Sequence, residues 1–197
     1  MEIEIKKLTP GLLEDYLYFF ENTAHKDIKD HDVRCYCMSW CSDDQKEEDF
    51  PSAEIRRNYA VRYVKNGMLQ GYLAYYDNRI IGWCNANNRA DCTKCHSWRY
   101  SLSSVNTTES DPDIKVKSIF CFIIAPDMRR NGIAVQLLEY VCKDAANDGF
   151  DYIEAYPNKN FVSVHDDFMG PADLYKKCGF SIYGETEHKI VIRKYLK

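Results

Sequence analysis

The passage from Ile119 to Asp148 restricts this chain most. An unbroken apolar run, Ile119-Phe-Cys-Phe-Ile-Ile124, leads into Ala125-Pro126, then a polar turn, Asp127-Met-Arg-Arg-Asn131, and then Gly132. Helical periodicity follows, from Arg130 to Asp148, with Val135, Leu138, Val141 and Cys142 on one face and Gly149 as its stop. A short run that is apolar throughout reads as a strand buried inside a sheet. The helix behind it opens with backbone N–H groups that have no partner within the helix, and its dipole leaves partial positive charge there. Such an end binds phosphate oxygens. Gly132 lets a ligand approach the backbone because it has no Cβ; Ala134 is small for the same reason, and Arg129 and Arg130 add charge. The competing reading is a plain turn with solvated arginines.

The other elements fall on either side. Residues 2–8 alternate as a strand with one wet face. Thr9-Pro10 reads as a helix start, with Leu13, Leu17 and Phe20 facing inward up to about Ala24. A second helix starts near Pro51-Ser52 and ends at Asn66-Gly67. Gly71–Tyr76 and Arg79–Cys84 form a hairpin across Asp77-Asn78. Residues 86–114 break the pattern and read as a long insertion, chiefly loop. Asp151–Tyr156 is a strand, Ala172–Cys178 a short helix, and Phe180–Tyr183 and Lys189–Arg193 are two closing strands. The expected class is therefore mixed α/β, and one domain of 197 residues holds it, with variable segments at about 25–50 and 86–114.

Composition narrows the function classes. The formal net charge is −4, so no basic surface for nucleic acid is evident. No segment approaches the roughly 20 apolar residues of a membrane span, and the first residues lack a signal-peptide run. The nine cysteines are odd in number and irregular in spacing, unlike a secreted disulfide framework, so a reducing cytoplasm is expected.

The strand, turn and helix around Arg129-Arg-Asn-Gly-Ile-Ala134 resemble motif A of the GNAT N-acetyltransferase superfamily. Ala172-Asp-Leu-Tyr-Lys-Lys-Cys-Gly-Phe180 is similar to that family's Leu-Tyr-x-Lys-x-Gly-Phe element. The resemblance covers about residues 70–195. It implies a mostly antiparallel sheet whose central parallel strands splay apart, flanking helices, and acetyl-CoA lying in the gap. The diphosphate loop maps onto Arg129, Arg130, Asn131, Gly132, Ile133 and Ala134. The backbone at Phe122, Ile123 and Ile124 would pair with the pantetheine amides, as an extended peptide adds to a strand edge. The implied reaction is direct transfer of acetyl from acetyl-CoA to a primary amine, that of a small molecule. The alternatives are a non-catalytic acyl-CoA-binding module and a zinc-binding interaction protein. A homodimer is left open.

The resemblance implies Tyr175 as the acid for the leaving thiolate; packing alone is the other reading. The family's usual base position on the central strand holds Ser118, which is no strong base. Glu154, His165, Asp166 and Asp167 are the remaining candidates, and His165 has a suitable intrinsic pKa; the alternative is a water chain with no single base. Where the family often carries an Asn, this chain has Phe168, so a cofactor hydrogen bond is either lost or supplied by Asn158 or Asn160.

Cys92-x-x-Cys95-His96 has zinc-knuckle spacing, whereas Cys35-x-Cys37-x-x-x-Cys41 does not. Unpaired cysteines in a reducing compartment usually behave as small apolar residues, and no metal is expected. Asp27, Asp30, Asp32, Asp43, Asp44, Glu47, Glu48 and Asp49 form either an acidic wall for a cationic acceptor or a solvated face. Tyr36, Trp40 and Trp83 would be an aromatic wall or core.

Overall fold

The computed structural model describes residues 2–28, 34–41, 50–163 and 167–197. Seven strands form one sheet: β1 (Glu4–Lys7), β2 (Gly71–Tyr76), β3 (Arg79–Asn88), β4 (Val116–Ile124), β5 (Tyr152–Ala155), β6 (Ser181–Glu185) and β7 (Ile190–Tyr195). They lie in the order β1-β2-β3-β4-β5-β7-β6. Each neighbouring pair is antiparallel except β4 and β5, which run parallel at the centre.

Helices α1 (Leu13–Asn22) and α2 (Ala53–Lys65) cover one face. Tyr16, Phe19 and Phe20 of α1 are buried there, and Tyr16 meets Trp83 edge-on at 5.1 Å. Ser52 caps α2 by accepting the Ile55 amide at 3.2 Å, the role its place before the helix assigns it. Thr9 makes no side-chain cap; a 3-10 turn at Pro10–Leu12 leads into α1 instead. The opposite face carries α5 (Ile133–Asn147) and α6 (Ala172–Lys177). There Leu137, Leu138, Val141 and Ala145 pack against Ile81, Ile119 and Ile153.

The insertion at 86–114 is more ordered than its sequence suggests. β3 runs on to Asn88, and the short helices α3 (Arg89–Cys92) and α4 (His96–Ser101) follow. Cys92, Cys95, Trp98, Leu102 and Val105 form a third buried cluster with Phe120 and Tyr156. The polar residues around them hide this apolar spacing from a sequence reading.

Two features of β4 set up the site. The register against β3 passes from Asn85↔Cys121 to Ala86↔Ile119, leaving Phe120 as the extra residue of a bulge. The bulge resets side-chain alternation. Ile119 faces the α5 cluster, whereas Cys121 and Ile123 face the α1 cluster. The second feature is length. β5 pairs with β4 only over Val116–Ile119 and ends at Ala155, while β4 continues to Ile124. The central parallel strands therefore part company beyond Ile119. Among the described residues, no helix is long and apolar enough to cross a membrane.

Candidate active site

The turn after β4 is held from both sides. Ala125 donates its amide to the Ile81 carbonyl at 2.9 Å, and Met128 donates back to Ala125 at 2.8 Å, forming the 3-10 turn at Pro126–Met128. Arg79 grips Asp127 with two bonds, at 2.6 and 2.8 Å, and holds that carboxyl below the usual carboxylate range. The Asn131 amide group donates to the Met128 and Arg129 carbonyls at 3.1 and 3.2 Å. The backbone turns left-handed at Arg130 (φ 67°) and again at Gly132 (φ 76°). Successive N–H groups in such a conformation converge into an anion-binding concavity. Among the described residues, no protein group accepts from the amides of Arg129 to Ala134, and no side chain caps α5.

A Cβ at Gly132 would meet no atom within 4 Å, so the positive φ is what the protein itself demands of this residue. Arg130 is exposed. Arg129 is not free charge: its guanidinium donates to Asp27 at 2.6 Å, with both side chains partly exposed. Ile133 is buried beneath the loop, and Ala134 borders the cavity described next.

A cavity of about 500 Å³ runs from Arg129 and Ala134 along Cys121–Ile124 to Gly170, Pro171 and Leu174. Its far wall holds Cys35, Cys37, Ser39, Trp40, Ser97 and Ser101. The three backbone positions expected to meet pantetheine differ in what they offer. The Phe122 amide is already taken, donating to the Phe168 carbonyl at 2.7 Å. That bond points away from β3, whereas the Ala125 amide points toward it. Backbone groups alternate along a strand, so Ile123 is turned to β3 and Ile124 to the gap. The open groups on the gap side are thus the Phe122 carbonyl and the Ile124 backbone.

Tyr175 is fully buried, and its hydroxyl donates to the Met169 carbonyl at 2.5 Å. Burial pushes its phenol well above the ordinary range. Its ring packs against Phe122 and Phe180, at 6.2 and 5.4 Å. Glu154 lies elsewhere, fully buried in an ion network outside the cavity. Arg193 Nε donates to it at 2.7 Å, Arg193 Nη2 donates as well, and Arg89 lies at 3.4 Å. The Tyr156 hydroxyl also donates to Glu154 at 2.6 Å and is bonded to Ser118 at 2.6 Å. Arg193 and Arg89 are further paired with Glu109. Glu154 and Ser118 are thus tied together in structure, not exposed to a substrate. Asn160 is exposed in the connection after β5 and does not line the cavity. The Asn158 backbone amide donates to Asp167 Oδ2, and Asn158 does not line the cavity either. His165 and Asp166 lie outside the described residues, as do Asp30, Asp32, Asp43, Asp44, Glu47, Glu48 and Asp49.

Asp167 does border the cavity and is only 2% exposed. One carboxylate oxygen accepts the Asn158 amide at 3.0 Å. The other, Oδ1, is buried and has no partner among the described residues. Burial lifts this carboxyl above its usual range. In the sequence Asp167 is one acid among several; only the folded strap at 167–170 sets it apart.

Of the aromatic candidates, Trp40 reaches the cavity, stacked on Phe120 at 4.6 Å, while Tyr36 and Trp83 are core. The segment around Cys37 is fixed to β3 by Asn85, whose side chain donates to the Cys37 carbonyl at 3.1 Å. The nine cysteines are free thiols, and Cys92 and Cys95 belong to the Trp98 cluster. Among the described residues, no group of three His, Cys, Asp or Glu could hold a metal ion.

Comparison with known proteins agrees with this geometry. The sequence model described as "Acetyltransferase (GNAT) family" matches residues 25–180. No curated protein matches by sequence. Among solved structures, the PaiA N-acetyltransferase of Thermoplasma acidophilum, in complex with coenzyme A, is 17% identical with TM-score 0.54, covering 99% of both chains. The ribosomal-protein-S18-alanine N-acetyltransferase of Escherichia coli is 13% identical with TM-score 0.53, covering 100% of this chain and 95% of that one. An agmatine N-acetyltransferase is 12% identical with TM-score 0.59, covering 100% of both. At these identities the likeness is one of fold. With more than half its length matched by the family's sequence model, and with the parted central strands and the amide-lined turn that the fold requires, the chain belongs to the GNAT acetyltransferase family.

Proposed function

We propose that the protein transfers an acetyl group from acetyl-CoA directly to a primary amine, that of a small molecule. The observation that carries this reading is the cluster of amides at Arg129–Ala134 that have no partner among the described residues, opening onto a cavity that follows β4. Oriented amides and the start of α5 suit a diphosphate, whose charge they meet without reorganising. Arg130 adds an exposed cation at the rim, and Arg129 reaches the same charge once it leaves Asp27.

Bound acetyl-CoA supplies the activated acyl group as a thioester. The residues of the chain then position it: the Ile124 backbone and the Phe122 carbonyl face the gap in which an extended amide chain would lie. Tyr175 is proposed as the proton donor to the leaving thiolate. That role requires its hydroxyl to exchange the Met169 carbonyl for sulfur. A solved relative in fold is named for agmatine, a small amine, which is consistent with a small cationic acceptor.

Thiol release from acetyl-CoA in the presence of agmatine, spermidine, 2-phenylethylamine or a peptide amine tests the reading. Release with a small amine is expected. Binding of CoA with no release for any amine would point instead to a non-catalytic acyl-CoA module, a reading that the bonded Ser118 at the usual base position favours.

A further inference from the structure

This inference rests on the acetyl-transfer reading. A primary amine arrives as an ammonium ion and must lose a proton before it can attack. The familiar strand position offers Ser118, bonded to Tyr156, and Glu154 is neutralised by two arginines. Arg129 is paired with Asp27, and the Tyr175 hydroxyl is engaged by Met169. The carboxylate on the cavity wall with an oxygen still unpartnered among the described residues is Asp167.

Its placement is built. The Asp167 amide donates to Ser163 at 2.9 Å, and its carbonyl accepts the Gly170 amide at 3.1 Å. Oδ2 is fixed by the Asn158 backbone amide at 3.0 Å, which leaves Oδ1 buried with no hydrogen-bond partner among the described residues. A buried carboxylate oxygen without a donor is unfavourable until one arrives, and an ammonium brings three. We propose that Asp167 receives the acceptor's ammonium group and takes the proton from it.

Position along the cavity separates Asp167 from its rival. His25 also borders the cavity, and its Nε2 also lacks a partner. It stands close in sequence to Asp27, which holds Arg129 at the diphosphate end. A chain running from the 129–134 turn along β4 brings its reacting end to Phe122. The Phe122 amide donates to Phe168, and Asp167 is the next residue.

The step balances. Asp167 Oδ1 takes one proton from R–NH3+, and the nitrogen lone pair attacks the thioester carbonyl carbon. The C–N bond forms as the C–S bond breaks, with the electron pair leaving on sulfur. The nitrogen gives up its second proton as the sulfur gains one. The products are the amide, the CoA thiol and a carboxyl on Asp167 that returns its proton to water.

The groups around Asp167 fit this role. Lys189, across from it, has its ammonium lowered by burial and directs Nζ to the Met169 sulfur at 3.7 Å. Tyr175, on α6, stays protonated. Burial raises the Asp167 carboxyl, outweighing the Asn158 and Met169 amides and the Lys189 charge that pull it down, and burial of the ammonium lowers its pKa, so the gap between donor and acceptor narrows.

The test is kcat/KM against pH for wild type and Asp167→Asn, with acetyl-CoA and whichever of agmatine, spermidine or 2-phenylethylamine the wild type acetylates. Asn retains an acceptor for the Asn158 amide, so the strap is preserved. The substitution is expected to lower kcat/KM at neutral pH by about 100-fold or more and to move the acid limb from the carboxylate's range up to that of the free amine, with CoA affinity unchanged. An Asp167→Asn enzyme with near-wild-type kcat/KM and the same acid limb would overturn the assignment, as would that shift of the limb in His25→Gln instead. The wild type gives a reading that needs no variant: its kcat/KM falls toward acid, and a profile flat down to about pH 4 overturns the proposal. If no amine releases thiol, the acetyl-transfer reading falls and takes this one with it; if wild type turns over and the Asp167 results fail, only the Asp167 assignment falls.

Discussion

The Phe168 carbonyl accepts the Phe122 amide at 2.7 Å, which makes the strap at 167–170 a one-bond partner for β4 past the point where β5 stops. That contact narrows the gap on one side and leaves the Ile124 backbone open on the other. It also places Asp167 beside the part of β4 where an acyl group would lie. The same strap is tied from below by the Tyr175 hydroxyl on Met169.

Tyr175→Phe separates two roles. A catalytic acid gives a large fall in kcat with CoA affinity unchanged. A strap tie gives a lower melting temperature and weaker CoA binding in proportion, because one buried hydrogen bond is lost at a cost of about 1 kcal/mol and the Met169 carbonyl is left unpaired. The tie to Met169 is lost in either case, so the proposed acid role predicts a fall in kcat far larger than the accompanying loss of CoA affinity or stability, read by steady-state kinetics beside CoA titration.

Glu154→Gln is expected to hurt stability and not the pH profile of catalysis. The carboxylate is fully buried between Arg89 and Arg193, and removing one partner of such a network costs about 3–5 kcal/mol. Denaturant unfolding measures the loss. An unchanged acid limb in whatever activity remains excludes Glu154 as the base.

The same network gives a pH dependence of folding. Burial pushes the Glu109 carboxyl up, but Arg193 and Arg89 outweigh it and hold it below its ordinary value. A depressed folded-state pKa means the stabilisation is complete above the unfolded value of about 4.3 and is lost as pH falls through the lower folded value. Wild-type stability should therefore drop below about pH 4, and Glu109→Gln should be less stable at neutral pH with a shallower acid slope.

Gly71→Ala tests the α1 face. A Cβ at Gly71 would come within 2.5 Å of the Cys84 carbonyl and run into the Trp83 ring. Trp83 is fully buried beneath Tyr16 and Phe20, so the ring has no room to yield. The expected cost is about 1–3 kcal/mol, measured as a shift in the unfolding midpoint.

The elements were legible in the sequence because their apolar patterns are strong: Ile119–Ile124 is apolar throughout, and α5 carries a clear 3.6 period. The bulge at Phe120 was not, since an extra residue in an all-apolar run changes no pattern. α3 and α4 were hidden by the polar residues that surround Cys92, Cys95 and Trp98. At the site, the turn between β4 and α5, with its left-handed Gly132, was readable from Pro126, Arg129 and Gly132, because turn chemistry is local. Asp167 and the fate of the Phe122 amide were not, because both depend on a strap that meets β4 from far along the chain. The pairing of Arg129 with Asp27 was hidden for the same reason.

Amide hydrogen exchange across residues 129–134, with and without CoA, tests the proposed diphosphate cup most directly. CoA is expected to slow exchange at Arg130 to Ala134 markedly, and Gly132→Glu, which sets a like charge in the cup, to abolish both that protection and CoA binding. Unchanged exchange at these amides under saturating CoA, or a Gly132→Glu protein that binds CoA as the wild type does, would contradict it.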